Sequence, residues 1–481
     1  MSSTESVGTP AGVPSLSSQA TWLLIALFIL TIPFTSARVR GDGIGYYAYA
    51  RSLIVDHNLQ FKGDWKGAGS EPAVVVRDSH GLSVNSHITK TGHIANYFAV
   101  GPALLWSPFI AATHAGILLL RHMGYSIAAD GHGHAYLLAM AFATALYGFI
   151  GLLLSFQLAR AFTGEKWALL AAVTIWLASS LPVYMYVDPS WAHAPSAFAV
   201  AWFLWYWHRT NAHRTRVQWM ILGLISGLMC DIYFANAVFL LVPILDFISE
   251  GRTTFHENAS WLGTLKRALQ SLFIYFGALL IGFLPTLAVR QIIFGNPLAA
   301  AAYASRPWQW ESPKFWSILF SSSRGLFVCT PVLTLAVAGL FFLRRKQPAL
   351  GNRLLACTAA FYALISVYPW WDGVASFGNR FFISLTPVFV VGLAVTFEKF
   401  TNVWRDQRRA TRRVVAVAAV LIVWNLGLVY QWSNGLFPNV GPVYWREVVY
   451  NQIRVVPGDL LRNMGSLAAH VSNDSARSAD E

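Results

Sequence analysis

Apolar stretches of helix length recur along the whole chain, at about 20–37, 98–120, 135–158, 167–186, 194–207, 217–231, 233–249, 269–290, 325–343, 354–369, 380–397 and 414–431. Most approach the roughly 20 residues that a helix needs to cross a bilayer. The pattern therefore predicts an all-α polytopic membrane protein, its shorter segments packed inside a bundle. Basic residues collect in short tracts between these segments. Arg209, Arg214 and Arg216 occupy 208–216; Arg344, Arg345, Lys346 and Arg353 occupy 344–353. Lys399, Arg405, Arg408, Arg409, Arg412 and Arg413 occupy 399–413. Cytosolic loops carry such excesses, and placing these tracts inside also puts 159–166 (Arg160, Lys166) and 250–268 (Arg252, Lys266, Arg267) inside. The opposite turns, 187–193, around 232 and 370–379, hold no Lys or Arg.

Parity then decides the long segment 38–97. If all twelve segments span, that loop is cytosolic. If 98–120 instead lies at the surface or dips in halfway, eleven helices span and the loop is outside. Gly101, Pro102 and Pro108 interrupt this segment and Trp106 suits an interface, which favours eleven spans and a large first outer loop, 38–133, carrying interfacial helices. Arg38 and Arg40, on the outer side of the first helix, run against that choice. A second outer loop covers about 291–324. Val74, Val75 and Val76, followed by alternating Leu82 and Val84, predict a short hairpin across Asp78-Ser79-His80-Gly81.

Composition sharpens the class. Of 481 residues 55% are hydrophobic and only 12% charged, where soluble chains carry about 25% charged residues, and the mean hydropathy is +0.47. The net charge of +13 sits in the inside tracts, and no nucleic-acid motif accompanies it. Cys230, Cys329 and Cys357 lie in or beside apolar segments without ligand spacing and read as small buried hydrophobes. Residues 1–19, rich in Ser, Thr, Gly and Pro, read as a disordered cytosolic tail without the basic region of a signal peptide. The membrane domain is 20–431. The segment 432–481 lies outside, aromatic-rich at first and disordered from about 465.

The most informative run is Arg40-Gly41-Asp42-Gly43-Ile44-Gly45-Tyr46-Tyr47-Ala48-Tyr49-Ala50-Arg51-Ser52-Leu53, just after the first apolar segment. If it is helical from Asp42, Asp42, Tyr46 and Tyr49 share a face, with Tyr47 and Arg51 beside it. Such a layout holds a carboxylate at a membrane–water boundary, with rings to stack a sugar and a cation for phosphate. The alternative is an N-cap aspartate opening an amphipathic surface helix, which needs no chemistry.

The ordered set of motifs resembles the GT-C superfamily of integral membrane glycosyltransferases, which use polyprenyl-phosphate-linked sugars, over roughly residues 20–400. Similarity is to bacterial protein-O-mannosyltransferase-like and aminoarabinose-transferase-like members. The pieces are Gly41-Asp42-Gly43 with Tyr46-Tyr47 and Ala50-Arg51-Ser52-Leu53, the segment Gly101-Pro102-Ala103-Leu104-Leu105-Trp106-Ser107-Pro108, and the turn Tyr186-Val187-Asp188-Pro189-Ser190-Trp191-Ala192-His193. Phe294-Gly295-Asn296-Pro297, Ser323-Arg324-Gly325-Leu326-Phe327 and Phe377-Gly378-Asn379-Arg380-Phe381 follow in order. The resemblance implies a bacterial inner-membrane enzyme whose site faces the periplasm. Its donor would be a polyprenyl-phosphate sugar, its acceptor a lipid, glycan or protein, and its stereochemistry inverting. Some relatives carry paired acids for a divalent metal, whereas Asp188 stands beside Pro189 with no second acid.

Sugar transfer from a lipid phosphate needs a base, charge stabilisation of the departing phosphate, and orientation of both substrates. Asp42 is the expected base. Arg324 and Arg380, at the starts of spanning helices, are expected at the phosphate, with Lys90 and Arg51 as competitors. Each arginine also suits snorkelling to ordinary lipid phosphates. Asp188-Pro189 fits an N-cap with proline at the first helical position, or acceptor or metal contact together with His193. His80, His87, His93, His132 and His134 lack zinc spacing. Two rival functions share the outer polar face: a ligase or polymerase of lipid-linked glycans, and a transporter or flippase of lipid-linked sugars. Internal symmetry and charged spans would mark a transporter, and the sequence shows no repeat.

Overall fold

The computed structural model describes residues 18–61, 64, 74–77, 83–86, 88–211, 214–256, 261–299, 307–438 and 440–462. The tails expected to be disordered, His80, His87 and the turn of the predicted hairpin lie outside the described residues.

The chain is an all-α integral membrane protein with one small hairpin. Helix α1 is Gln19–Thr31, and α2, Asp42–Arg51, opens the first long loop. The hairpin follows, strand β1 (Val74–Arg77) pairing antiparallel with β2 (Ser83–Ser86), Val74 opposite Ser86. Next come α3 (Gly101–His122), α4 (His134–Arg160), α5 (Glu165–Ala178), α6 (His193–Arg209), α7 (Arg216–Ile232), α8 (Leu241–His256), α9 (Trp261–Gly282) and α10 (Leu284–Phe294). Two short helices, α11 (Phe315–Phe320) and α12 (Leu326–Cys329), precede α13 (Val332–Lys346), α14 (Pro348–Ser366), α15 (Thr386–Val403), α16 (Gln407–Ser433) and α17 (Trp445–Tyr450). Among the described residues five helical segments are long and apolar enough to cross a membrane: α3, α4, α14, α16 and α15 with the turn Arg380–Leu385 before it. The pair α9–α10, bent by 48°, makes six if it is one span.

α15 is the buried axis of the bundle. It can be, because Gly339 of α13 and Gly392 of α15 let the two backbones close together: a Cβ on Gly339 would lie 1.8 Å from Gly392 O. The basic helix ends gather on one side. Lys346 donates to Phe162 O at 2.7 Å and pairs with Glu398 at 3.1 Å, and Arg353 pairs with the buried Asp246 at 2.8 Å.

The interruption expected in 98–120 does not occur. Gly101 and Pro102 begin α3, where proline costs no helical hydrogen bond, and Pro108 is carried inside one continuous 22-residue helix. Its contacts nevertheless stagger it against α4. Trp106 Nε1 donates to Thr144 at 2.8 Å, Phe109 packs on Phe142, and His114 pairs with Tyr136 at 2.7 Å. α3 thus runs antiparallel to α4, begins beside its middle and finishes beyond its first residue, and it is itself long and apolar enough to cross a membrane.

Candidate active site

Three glycines on alternate positions seat α2. Gly41 adopts φ +57, which favours glycine, and a Cβ there would lie 2.7 Å from the Trp191 ring. Cβ atoms at Gly43 and Gly45 would lie 1.9 Å from Ser190 Oγ and 2.0 Å from the Phe98 ring. α2 therefore starts pressed against the turn 188–191, with Asp42 as its first residue.

The Asp42 carboxylate, 19% exposed, meets the buried Arg380 guanidinium at 3.0 Å. That guanidinium lies 4.0 Å from the centre of the Trp191 ring. A tightly folded loop aims it: Gly373, Val374 and Gly378 all have positive φ, Asn379 Nδ2 donates to Trp371 O at 3.0 Å, and the Phe377 N–H donates to Tyr184 Oη at 3.1 Å. Tyr46, Tyr233 and Tyr368 surround the pair closely enough for the Asp42 charge to bear on all three hydroxyls. Burial first, and then Asp42, push the Tyr46 hydroxyl well above its ordinary value, so it stays a proton donor. His193, the first residue of α6, is buried between the Tyr184, Tyr233 and Trp191 rings, and among the described residues its Nδ1 makes no hydrogen bond.

Asp188 does not cap a helix. Its buried carboxylate is bracketed by Arg40 at 2.5 Å and Arg38 at 3.6 Å, and α6 begins only at His193. A divalent cation here would have to displace two guanidinium groups, and among the described residues no cluster of three His, Cys, Asp or Glu side chains is suited to a metal. The donor set does not fit one.

The structure thus brings together Asp42, Tyr46, His193, Arg380 and, through Arg40 and the turn 188–191, Asp188. It takes other candidates elsewhere. Tyr47 donates to Gly131 O at 2.7 Å. Arg51 is enclosed by Asp64 (2.5 Å) and Asp56 (2.5 Å) and donates to Asp130 O. Burial works to lower its pKa, but the hydrogen bonds and charges of those two acids prevail and raise it. Arg324 donates to Ser323 O and Pro438 O, at 2.7 and 2.9 Å, and stacks on Phe437. Lys90 is exposed in the turn Thr89–Gly92.

One cation escaped the sequence reading. Arg290 of α10 is half-buried over the Phe234 ring, 4.8 Å from its centre, with Asp231 and Tyr49 nearby. Among the described residues it forms no hydrogen bond or ion pair. Its signal was a basic residue at the end of a span expected to face outward, where such residues are scarce. Tyr184, Tyr233 and Tyr368 were hidden for a different reason: aromatics at span ends ordinarily read as interfacial anchors.

No protein-family model matches the chain, and no curated protein does. Among solved structures it is similar to the archaeal oligosaccharyltransferase AglB from Archaeoglobus fulgidus in complex with an inhibitory peptide and a dolichol-phosphate. The identity is 14% and the TM-score 0.49, over 88% of this chain and 56% of that one. It is similar also to ArnT from Cupriavidus metallidurans, in the apo state (14%, TM-score 0.46) and bound to undecaprenyl phosphate (12%, TM-score 0.48). Each of these covers 92% of this chain and 76% of ArnT. The chain spans a little over half the length of AglB. The likeness is in the course of the chain, and the chemistry of the site rests on this chain's own residues.

Proposed function

We propose that this protein is a membrane glycosyltransferase that moves a sugar from a polyprenyl-phosphate donor to an acceptor hydroxyl at the outer, periplasmic face. The observation that carries the proposal is the Asp42–Arg380 pair: a water-edge carboxylate held 3.0 Å from a buried guanidinium inside a wall of aromatic rings. Arg380 orients the Asp42 carboxylate at the edge of this wall, where it can accept a proton. As the acceptor oxygen attacks the anomeric carbon, Asp42 takes its proton. The bond from that carbon to the phosphate oxygen breaks, and its electron pair leaves on the phosphate. A single displacement inverts the anomeric centre. Tyr46, Tyr233 and Tyr368 supply hydroxyls to orient the sugar, and Trp191 and His193 close the wall behind it.

The departing phosphate needs a cation. Arg51 is engaged by two carboxylates and Arg324 by two backbone carbonyls. Arg290, on a helix whose exposed neighbours Leu284 and Ile292 suit lipid, is better placed to receive a lipid-linked phosphate. Arg380, beside Asp42, adds a second positive charge on the same side. Both roles are parts of the proposal.

Asp42→Asn keeps the size and removes the charge. It should lower turnover by about 10²–10⁴-fold, the usual worth of a positioned base, while undecaprenyl phosphate still binds. Turnover equal to wild type would remove Asp42 from the chemistry. The bent α9–α10 pair and the buried Asp231 are features that transporters share, and that reading predicts movement of the lipid-linked sugar with no release of polyprenyl phosphate.

A further inference from the structure

The helix that carries Arg290 is held in an unusual way. α9 lies tight along α7, since Gly223 and Gly227 let the backbones of Tyr275, Leu279 and Gly282 approach. After Gly282 the chain bends by 48°, and α10 starts without a side-chain cap of its own: Phe283 stands at the cap position and Pro285 in the first turn. The missing acceptor comes from the neighbouring helix. Asp231, wholly buried at the end of α7, accepts the Thr286 N–H on Oδ1 at 3.0 Å. The Thr286 hydroxyl stands beside the same carboxylate, and Arg290, about one turn beyond Thr286, is the cation whose charge acts on it. The start of α3 seals this carboxylate from water: a Cβ on Gly101 would lie 2.4 Å from Ile232 N. At its far end α10 is tied to the outer loop, where Thr91 Oγ1 donates to Ile293 O at 2.5 Å. An ionisable side chain buried in a membrane helix is costly and is kept for a purpose.

We infer that Asp231 is a positioning residue: it caps the first turn of α10 from the adjacent helix and thereby fixes where Arg290 presents its guanidinium to a lipid-linked phosphate. The inference rests on the phosphate role proposed for Arg290. Asparagine preserves an acceptor oxygen at this place and alanine does not, so the pair of variants separates capping from charge.

The test is the dissociation constant of undecaprenyl phosphate for the purified full chain, in the presence of excess phosphatidylglycerol, for wild type, Arg290→Gln, Asp231→Ala and Asp231→Asn. Thermal unfolding of each variant is followed alongside. The expected result is binding that phosphatidylglycerol does not displace, weakened about tenfold by Arg290→Gln and about five- to tenfold by Asp231→Ala, with Asp231→Asn within about twofold of wild type. Asp231→Ala binding like wild type, or Asp231→Asn as weak as Asp231→Ala, overturns the capping role. Arg290→Gln binding like wild type, or displacement by phosphatidylglycerol, removes the phosphate role and this inference with it. Absence of any binding by folded wild type overturns the transferase reading as well.

Discussion

At the scale of single residues, the outer arginines divide by what holds them. Arg380 shares the site with Asp42, whereas Arg51 is locked between Asp56 and Asp64 in the side wall of the same loop. Breaking a buried ion pair by removing one member leaves the other charge stranded. Arg51→Met should therefore destabilise the folded protein by about 3–5 kcal/mol, seen as a lower midpoint in thermal unfolding followed by size-exclusion chromatography. An unchanged midpoint would show that Arg51 is solvated and available to substrate. Asp42, Arg380, Asp188 and His193 were legible in the sequence because each sits in a short motif at the outer end of an apolar segment. Arg51 could not be sorted from them by spacing, since Asp56 ends a wide helical turn, Ser52–Asp56, and Asp64 lies beyond it outside any helix or strand. The tyrosines could not be assembled at all: Tyr46, Tyr233 and Tyr368 come from three distant parts of the chain, and only the fold converges them.

At the scale of elements, α2 shows how the site is built from close approach. The glycines of Gly41-Asp42-Gly43-Ile44-Gly45 serve less to loosen the helix than to let it touch Trp191, Ser190 and Phe98. Gly43→Ala would place a methyl group 1.9 Å from Ser190 Oγ, so α2 must shift and carry Asp42 away from Arg380. Overpacking of this kind costs about 1–3 kcal/mol, and transfer activity should fall well below that of a control such as Gly116→Ala, where the space is open. Equal activity of the two variants would mean that α2 tolerates displacement. α3 teaches a related lesson. Its glycine and prolines predicted interruption, but their positions matter more than their presence: Gly101 and Pro102 open the helix, and Pro108 is absorbed within it. What fixes its place in the bundle is the stagger against α4, a tertiary fact that no local pattern contains.

At the scale of the whole molecule, hydropathy and basic tracts were enough to give the class and a common side for those tracts, which meet through Lys346, Glu398, Arg353 and Asp246. They fix the number of crossings less well, because helices of 13–17 residues such as α1, α5, α6 and α7 are short for a full span and read alike whether they cross or pack inside. The opposite ends carry the candidate site. The central claim, transfer from a lipid phosphate at that site, is tested most directly by incubating purified wild type with a panel of polyprenyl-phosphate sugars and membrane extract as acceptor, and measuring free polyprenyl phosphate. The account predicts release from at least one donor, with the sugar recovered on an acceptor in inverted configuration. No release from any donor, with the protein folded, would contradict it.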